Sequence, residues 1–169
     1  LFTNYPITEG RKKISEERVK VTDEERNIAR RFGREYFDGP RKLGLGGYYY
    51  DPKYFKPVVK DFINFYSLSG NSKILDVGCA KGFMLHDFLE AMPECKVSGI
   101  DISQYCIDNA MKTVKKFCQV GTCDDLPYED NSFDLVISVA TIHNLDITGV
   151  KKSIKEIMRV SKNHAYIKV

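Results

Sequence analysis

Ile74-Leu75-Asp76-Val77-Gly78-Cys79-Ala80-Lys81-Gly82 reads as a buried strand that breaks into a glycine-rich turn and opens a helix. Gly78 and Gly82 lack a Cβ, so they can take backbone angles closed to other residues and let main chain approach a ligand closely, while Asp76 places a charge at the strand's end. Such a loop suits a nucleotide-like molecule. A second apolar strand, Val97 to Ile100, ends in Asp101. That acid follows the loop by about 20 residues, the spacing at which a carboxylate meets ribose hydroxyls.

Outward from this loop the pattern alternates. Strands are expected at Lys73 to Val77, Lys96 to Ile100, around Phe117 to Val120, Asp134 to Val139 and from Ala165. Helices are expected from Phe83 to about Met92, from the Ser103 cap through the stripe Ile107, Ala110, Met111, Val114 and Phe117, and from Val150 to Val160. Strand–helix alternation implies parallel strands joined by right-handed crossovers. Upstream, Asp51-Pro52 caps a helix carrying Phe55, Val58, Val59, Phe62, Ile63 and Tyr66 on one face, which Gly70-Asn71 ends. Thr22-Asp23-Glu24-Glu25 has the form of a capping box opening a charged helix toward Phe37, and residues 1 to 20 read as a loosely held lead-in. The run Gly44-Leu45-Gly46-Gly47-Tyr48-Tyr49-Tyr50 lies between.

These features resemble those of the class I S-adenosylmethionine (SAM) dependent methyltransferases. The family's acid-x-Gly-x-Gly-x-Gly loop is matched by Asp76, Gly78, Ala80 and Gly82, with alanine for the middle glycine. Asp101 matches the acid after the second strand, Gly121 to Pro127 the Gly-Asp-Ala-x-x-Leu-Pro segment, and Asn131 to Val136 the entry to the fourth strand. The resemblance implies an α/β fold: a three-layer Rossmann-like sandwich around a mostly parallel, doubly wound sheet, here with an N-terminal helical extension. It divides the chain into residues 1–50, an extension and possible lid over the cofactor, and residues 51–169, the SAM-binding domain. Because the family sheet has seven strands and the sequence ends at the fifth, the domain is expected to be C-terminally incomplete.

The implied activity is transfer of the SAM methyl group to an oxygen, nitrogen or carbon of a small molecule by in-line displacement, leaving S-adenosylhomocysteine. The resemblance gives the cofactor-binding set as Asp76, Gly78, Ala80, Gly82, Asp101, Ile102, Thr122, Cys123 and Val139. Asp101 would hold the ribose, Ile102 pack on the adenine, and Asp76 face the methionine end. Thr122 stands where the family has an aspartate for the adenine amino group, with Asp124 as a substitute if the loop shifts. His143, after the fourth strand, is the candidate catalytic base, since its unperturbed pKa lies near neutrality. Alanine at Asp101 is expected to spare the fold, on the view that this residue lines the surface of a cleft.

Two alternatives follow from the same residues. One is a SAM-binding partner or regulatory subunit that does not catalyse, permitted by Thr122 and the lack of a clear base. The other is an NAD(P)-binding protein, but a Gly-x-Gly-x-x-Gly fingerprint starting at Gly78 needs glycine at positions 80 and 83, where the chain has Ala80 and Phe83.

Composition narrows the partners. The 169 residues suit one domain, and 26 basic against 23 acidic side chains leave a formal charge of +3. Basic residues crowd the N-terminal end, yet acids interleave with them, as on a solvated helix face, so no strong nucleic-acid signal results. The expected acceptor is a metabolite, lipid precursor or sugar derivative. Five cysteines without a Cys-x-x-Cys pair, and three histidines, show no zinc spacing, so no metal is expected. No run of 18 apolar residues exists to span a membrane, and free thiols without a secretory signal lead to a cytoplasmic expectation.

Overall fold

A computed structural model describes residues 21–169; the expected lead-in of residues 1 to 20 lies outside them. Five strands form one sheet: β1 (Lys73–Val77), β2 (Lys96–Asp101), β3 (Cys118–Val120), β4 (Phe133–Val139) and β5 (Ser161–Lys168). Their order is β3-β2-β1-β4-β5 and every pairing is parallel. Order reverses at β1, so the crevice outside the carboxyl ends of β1, β2 and β4 is where a ligand of this sheet type belongs.

Alternate residues of each strand feed opposite layers, as the two-residue period of a strand demands. Ile74, Val97, Leu135 and Ile137 pack with Val58, Val59 and Phe62 of α3 (Pro52–Phe65) and with Met84, Leu85 and Phe88 of α4 (Phe83–Ala91). Leu75, Val77, Ile100 and Val136 face the other way, onto Ile157 and Val160 of α6 (Ile147–Val160). Helices thus cover both faces, which explains why the central strands β1 and β4 are buried on both sides, while the edge strands β3 and β5 carry polar residues.

At the N-terminal end, the Thr22 capping box forms as expected, but the helix it opens is short. Phe32, at φ +49°, and Gly33 split it into α1 (Asp23–Ala29) and α2 (Arg34–Phe37). Asp51 caps α3 as expected, and that helix ends at Phe65, before Gly70-Asn71.

The largest departure is the helix begun at Ser103. It covers only α5 (Gln104–Asp108), after which the chain turns through a 3-10 segment at Lys115–Phe117. The Met111 amide donates to the carbonyl of Lys81 instead of continuing the helix, at 3.0 Å. Ala110 and Val114 are still buried, so the apolar stripe marks real burial produced without helical backbone. Among the described residues no helix is long and apolar enough to cross a membrane.

Candidate functional site

The β1 turn is held by its own backbone and by β2. The amides of Gly78 and Cys79 both donate to the Ile100 carbonyl, at 2.7 and 3.1 Å, and the Gly82 amide donates to Cys79 at 2.8 Å. Three residues of the turn have positive φ: Gly78 at +86°, Ala80 at +48° and Gly82 at +74°. A Cβ on Gly78 would lie 2.0 Å from Thr141 Oγ1, and one on Gly82 would lie 2.7 Å from Val114 Cγ2. Conformation and space therefore both select glycine there. Ala80, by contrast, carries its methyl in the left-handed region, at a conformational cost on the order of 1 kcal/mol.

Two buried acids flank this turn, and their surroundings differ. Asp101 is 8% exposed. Its Oδ2 accepts the Ala80 amide and its Oδ1 the Ser103 amide, each at 2.8 Å. Burial still raises its pKa, while these two amides pull the other way. Asp101 is thus no cleft-surface residue but the clamp between the loop and the start of α5. A carboxylate has about four acceptor sites, so two remain after the amides are served. Asp76 is 5% exposed and receives no hydrogen bond from any described residue. Burial, with Asp101 adding repulsion, pushes its carboxyl up to about 7. A cation placed beside Asp76 would relieve that burden.

Around the acids the remaining expected residues are spread along the strand ends. Ile102 is 58% exposed, an apolar surface next to the Asp101 clamp. Thr122 is exposed, while Cys123 is half-buried against Ser153. Val139 is half-buried at the end of β4. His143 sits exposed in the 3-10 turn Ile142–Asn144, and no described residue hydrogen-bonds its ring. The structure gathers Asp76, Gly78, Ala80, Gly82 and Asp101 tightly and leaves His143 without an orienting partner among the described residues.

Four contributors escape the motif reading. Lys81, 9% exposed, donates from Nζ to Asp38 Oδ2 at 2.6 Å and to the Tyr48 carbonyl at 2.8 Å. Tyr105 donates to the same Asp38 oxygen at 2.6 Å, and the Tyr48 amide donates to Asp38 Oδ1 at 2.8 Å. Although partial burial opposes it, the Lys81, Tyr105 and Tyr48 donors hold the Asp38 carboxyl down at about 2. The Tyr48 ring stacks on Phe83 at 4.7 Å, and the Tyr50 hydroxyl donates to Asp87. Tyr49 points to solvent. The segment from Asp38 to Tyr50 is thereby strapped across the first turn of α4. Thr141 is the fourth contributor, donating to the Val77 and Val139 carbonyls, both at 3.2 Å. Lys81 occupies a variable place within the glycine motif, and Asp38 lies in what reads as an ordinary turn, so neither carried a chemical signal.

The methyltransferase-domain family matches residues 74–164, more than half of the chain, including the β1 turn, both buried acids and the β4 end but not the strap from Asp38 to Tyr50. The chain belongs to that family. Among curated relatives, the tRNA (carboxymethyluridine(34)-5-O)-methyltransferase of Arabidopsis thaliana is 33% identical over 116 residues, covering 66% of this chain and 26% of its own length. The demethylmenaquinone methyltransferase of Symbiobacterium thermophilum is 33% identical over 97 residues, covering 53% of this chain and 38% of its own. This chain therefore spans well under half of either relative. The PH0226 protein of Pyrococcus horikoshii superposes with a TM-score of 0.58 at 22% identity, covering 79% of this chain and 62% of that one. PKMT2 of Rickettsia typhi, solved with S-adenosylhomocysteine, superposes with a TM-score of 0.53 at 22% identity, covering 59% and 21%. At such identity the likeness establishes the fold, and a methyltransferase domain displaces the NAD(P) alternative.

Proposed function

We propose that this methyltransferase domain uses SAM and moves its methyl group to an oxygen, nitrogen or carbon of a small-molecule acceptor. The residues at the crevice suit the cofactor. Asp76, buried and short of hydrogen-bond donors, would face the cationic methionine end, and the free acceptor sites of Asp101 would take the ribose hydroxyls. Gly78, Ala80 and Gly82 would pass beneath it as backbone, with Ile102, Thr122, Cys123 and Val139 toward the adenosine. When bound, the cofactor supplies a methyl group on a positive sulfonium, which needs no metal and no covalent enzyme intermediate. The chain's own contribution is placement of the acceptor and exclusion of water.

The strap is the observation that carries the small-acceptor reading. Asp38, Tyr48 and Tyr50 bind it to Lys81, Phe83 and Asp87, at the very start of the helix that follows the cofactor loop. Residues 1–50 would then act, at least through this part, as a lid that narrows the approach and suits a metabolite, lipid precursor or sugar derivative better than a polymer.

A nucleic-acid acceptor is the second reading, favoured by the Arabidopsis relative that is named for a tRNA uridine. A methyl-release assay with SAM separates them: a metabolite library in one arm and total tRNA in the other. Turnover on a metabolite with none on tRNA is the expected result. Turnover confined to tRNA would overturn the small-acceptor reading, and SAM binding without turnover on either would return the non-catalytic partner.

A further inference from the structure

Two cysteines turn their sulfurs toward one point over a glycine. Cys79 belongs to the cofactor turn and Cys118 opens β3, at the other side of β2. Gly99 of β2 lies between: it registers with Asp76 on one side and with Cys118 on the other. A Cβ on Gly99 would stand 2.7 Å from Cys79 Sγ and 3.1 Å from Cys118 Sγ. Both sulfurs thus crowd the same point above the glycine, a point that any other residue would fill.

The two thiols are not equivalent. Cys79 is 4% exposed, whereas Cys118 is half-buried. The contact between them raises the Cys79 thiol, with burial and Asp76 adding to it, and lowers that of Cys118. Cys118 is thus the sulfur that a dissolved oxidant meets first. The other cysteines have different neighbours: Cys95 lies by the Phe88 carbonyl, Cys106 under the Ser103 cap, and Cys123 against Ser153.

We propose that Cys79 and Cys118 form a disulfide across Gly99 under peroxide, and that this bond weakens cofactor binding reversibly. The chemistry balances in two steps. Cys118 sulfur attacks one oxygen of hydrogen peroxide, breaking the O–O bond, so that a sulfenic acid forms and one water leaves. Cys79 sulfur then attacks the Cys118 sulfur and expels the second water, the two thiols having given two electrons to the peroxide. A disulfide requires its two Cβ atoms about 3.8 Å apart and a fixed torsion. Closing the bond would tie Cys79, and with it the turn that carries the Gly78 and Ala80 amides, covalently to β3. The bond itself does not depend on which acceptor the enzyme uses.

The test treats the whole protein with hydrogen peroxide, maps its cysteines by peptide mass spectrometry, and titrates SAM before oxidation, after it and after dithiothreitol. A Cys79–Cys118 cross-linked peptide lighter by two hydrogens is expected, together with SAM affinity at least about tenfold weaker because the bond ties the turn to β3, and restored by the reductant. Cys118→Ser should bind SAM like the unmodified protein and lose the response to peroxide. Pairing with any other cysteine, thiols that stay free, or a cross-link that leaves affinity unchanged would each overturn the proposal. Reduced protein that fails to bind SAM would instead count against the cofactor-site assignment, and the peptide map would still report on the pair.

Discussion

The carboxyl ends of β1 and β2 and the carboxyl end of β4 border one crevice but are built to different standards. At β1 and β2, two buried acids and a turn with three positive φ values are fixed by backbone hydrogen bonds and by glycines that admit no Cβ. At β4, Ala140 is held through its amide to the Lys168 carbonyl and Thr141 packs over Gly78, yet beyond them His143 stands exposed. The first border is organised ahead of any ligand, as placement of a cofactor requires. The second supplies a surface whose chemistry depends on what arrives.

Asp76 offers the largest effect by which to test that difference. Its carboxyl titrates near 7 in the folded protein against 3.8 as the ordinary value. Near pH 2, well below both values, the proton is bound in both folded and unfolded chains and the group contributes little. As pH rises, the unfolded chain loses its proton first, so stability falls until about pH 7 and stays low above it. Asp76→Asn should therefore stabilise the ligand-free protein at pH 8 by on the order of 2–4 kcal/mol and by almost nothing near pH 2. SAM affinity should fall at the same time, by on the order of 1.5–3 kcal/mol. Urea unfolding across pH and titration calorimetry give both numbers. An Asn variant no more stable at pH 8 would mean that Asp76 is already compensated, and the proposed need for a cationic ligand would go with it.

Asp101 sharpens the comparison from the other side, because it is the acid that does have partners. Asp101→Ala leaves the Ala80 and Ser103 amides without their acceptor, so stability should drop by about 1–3 kcal/mol and SAM affinity by about 1.5–3 kcal/mol. Lost stability with unchanged affinity would make Asp101 a loop clamp alone. The sequence places this acid correctly at the end of β2 but suggests a surface residue whose loss the fold would ignore. Motif spacing locates a residue along the chain and says nothing of which amides turn toward it.

The same limit governs the rest of what could be read beforehand. The first four strands, the parallel sheet and the Gly78 to Gly82 turn were legible because apolar runs and glycines obey local rules, whereas β5 begins at Ser161, four residues before the expected Ala165, in a polar stretch that carries no apolar signal. The stripe Ile107, Ala110, Met111 and Val114 was legible as burial but not as backbone, since the Met111 amide answers to the distant Lys81 carbonyl. Lys81, Asp38 and Tyr105 were illegible as a group: Asp38 is separated from Lys81 by 43 residues and from Tyr105 by 67, and only tertiary packing brings them together. Tyr48 and Tyr50 signalled a possible lid through their density alone, and the partners that strap them down carry no such mark.

His143 provides the smallest expected effect and the most direct probe of the β4 border. A general base that removes the acceptor's proton contributes about 10²–10⁴-fold, and it achieves this when a neighbour fixes its ring. Among the described residues His143 has no such neighbour, and it is exposed. His143→Ala should leave SAM affinity unchanged and lower kcat by less than about tenfold, the result expected where placement outweighs proton transfer. A loss of a hundredfold or more would show that an arriving acceptor supplies the orientation which the protein alone does not, and the β4 border would then rank with the cofactor border as catalytic machinery.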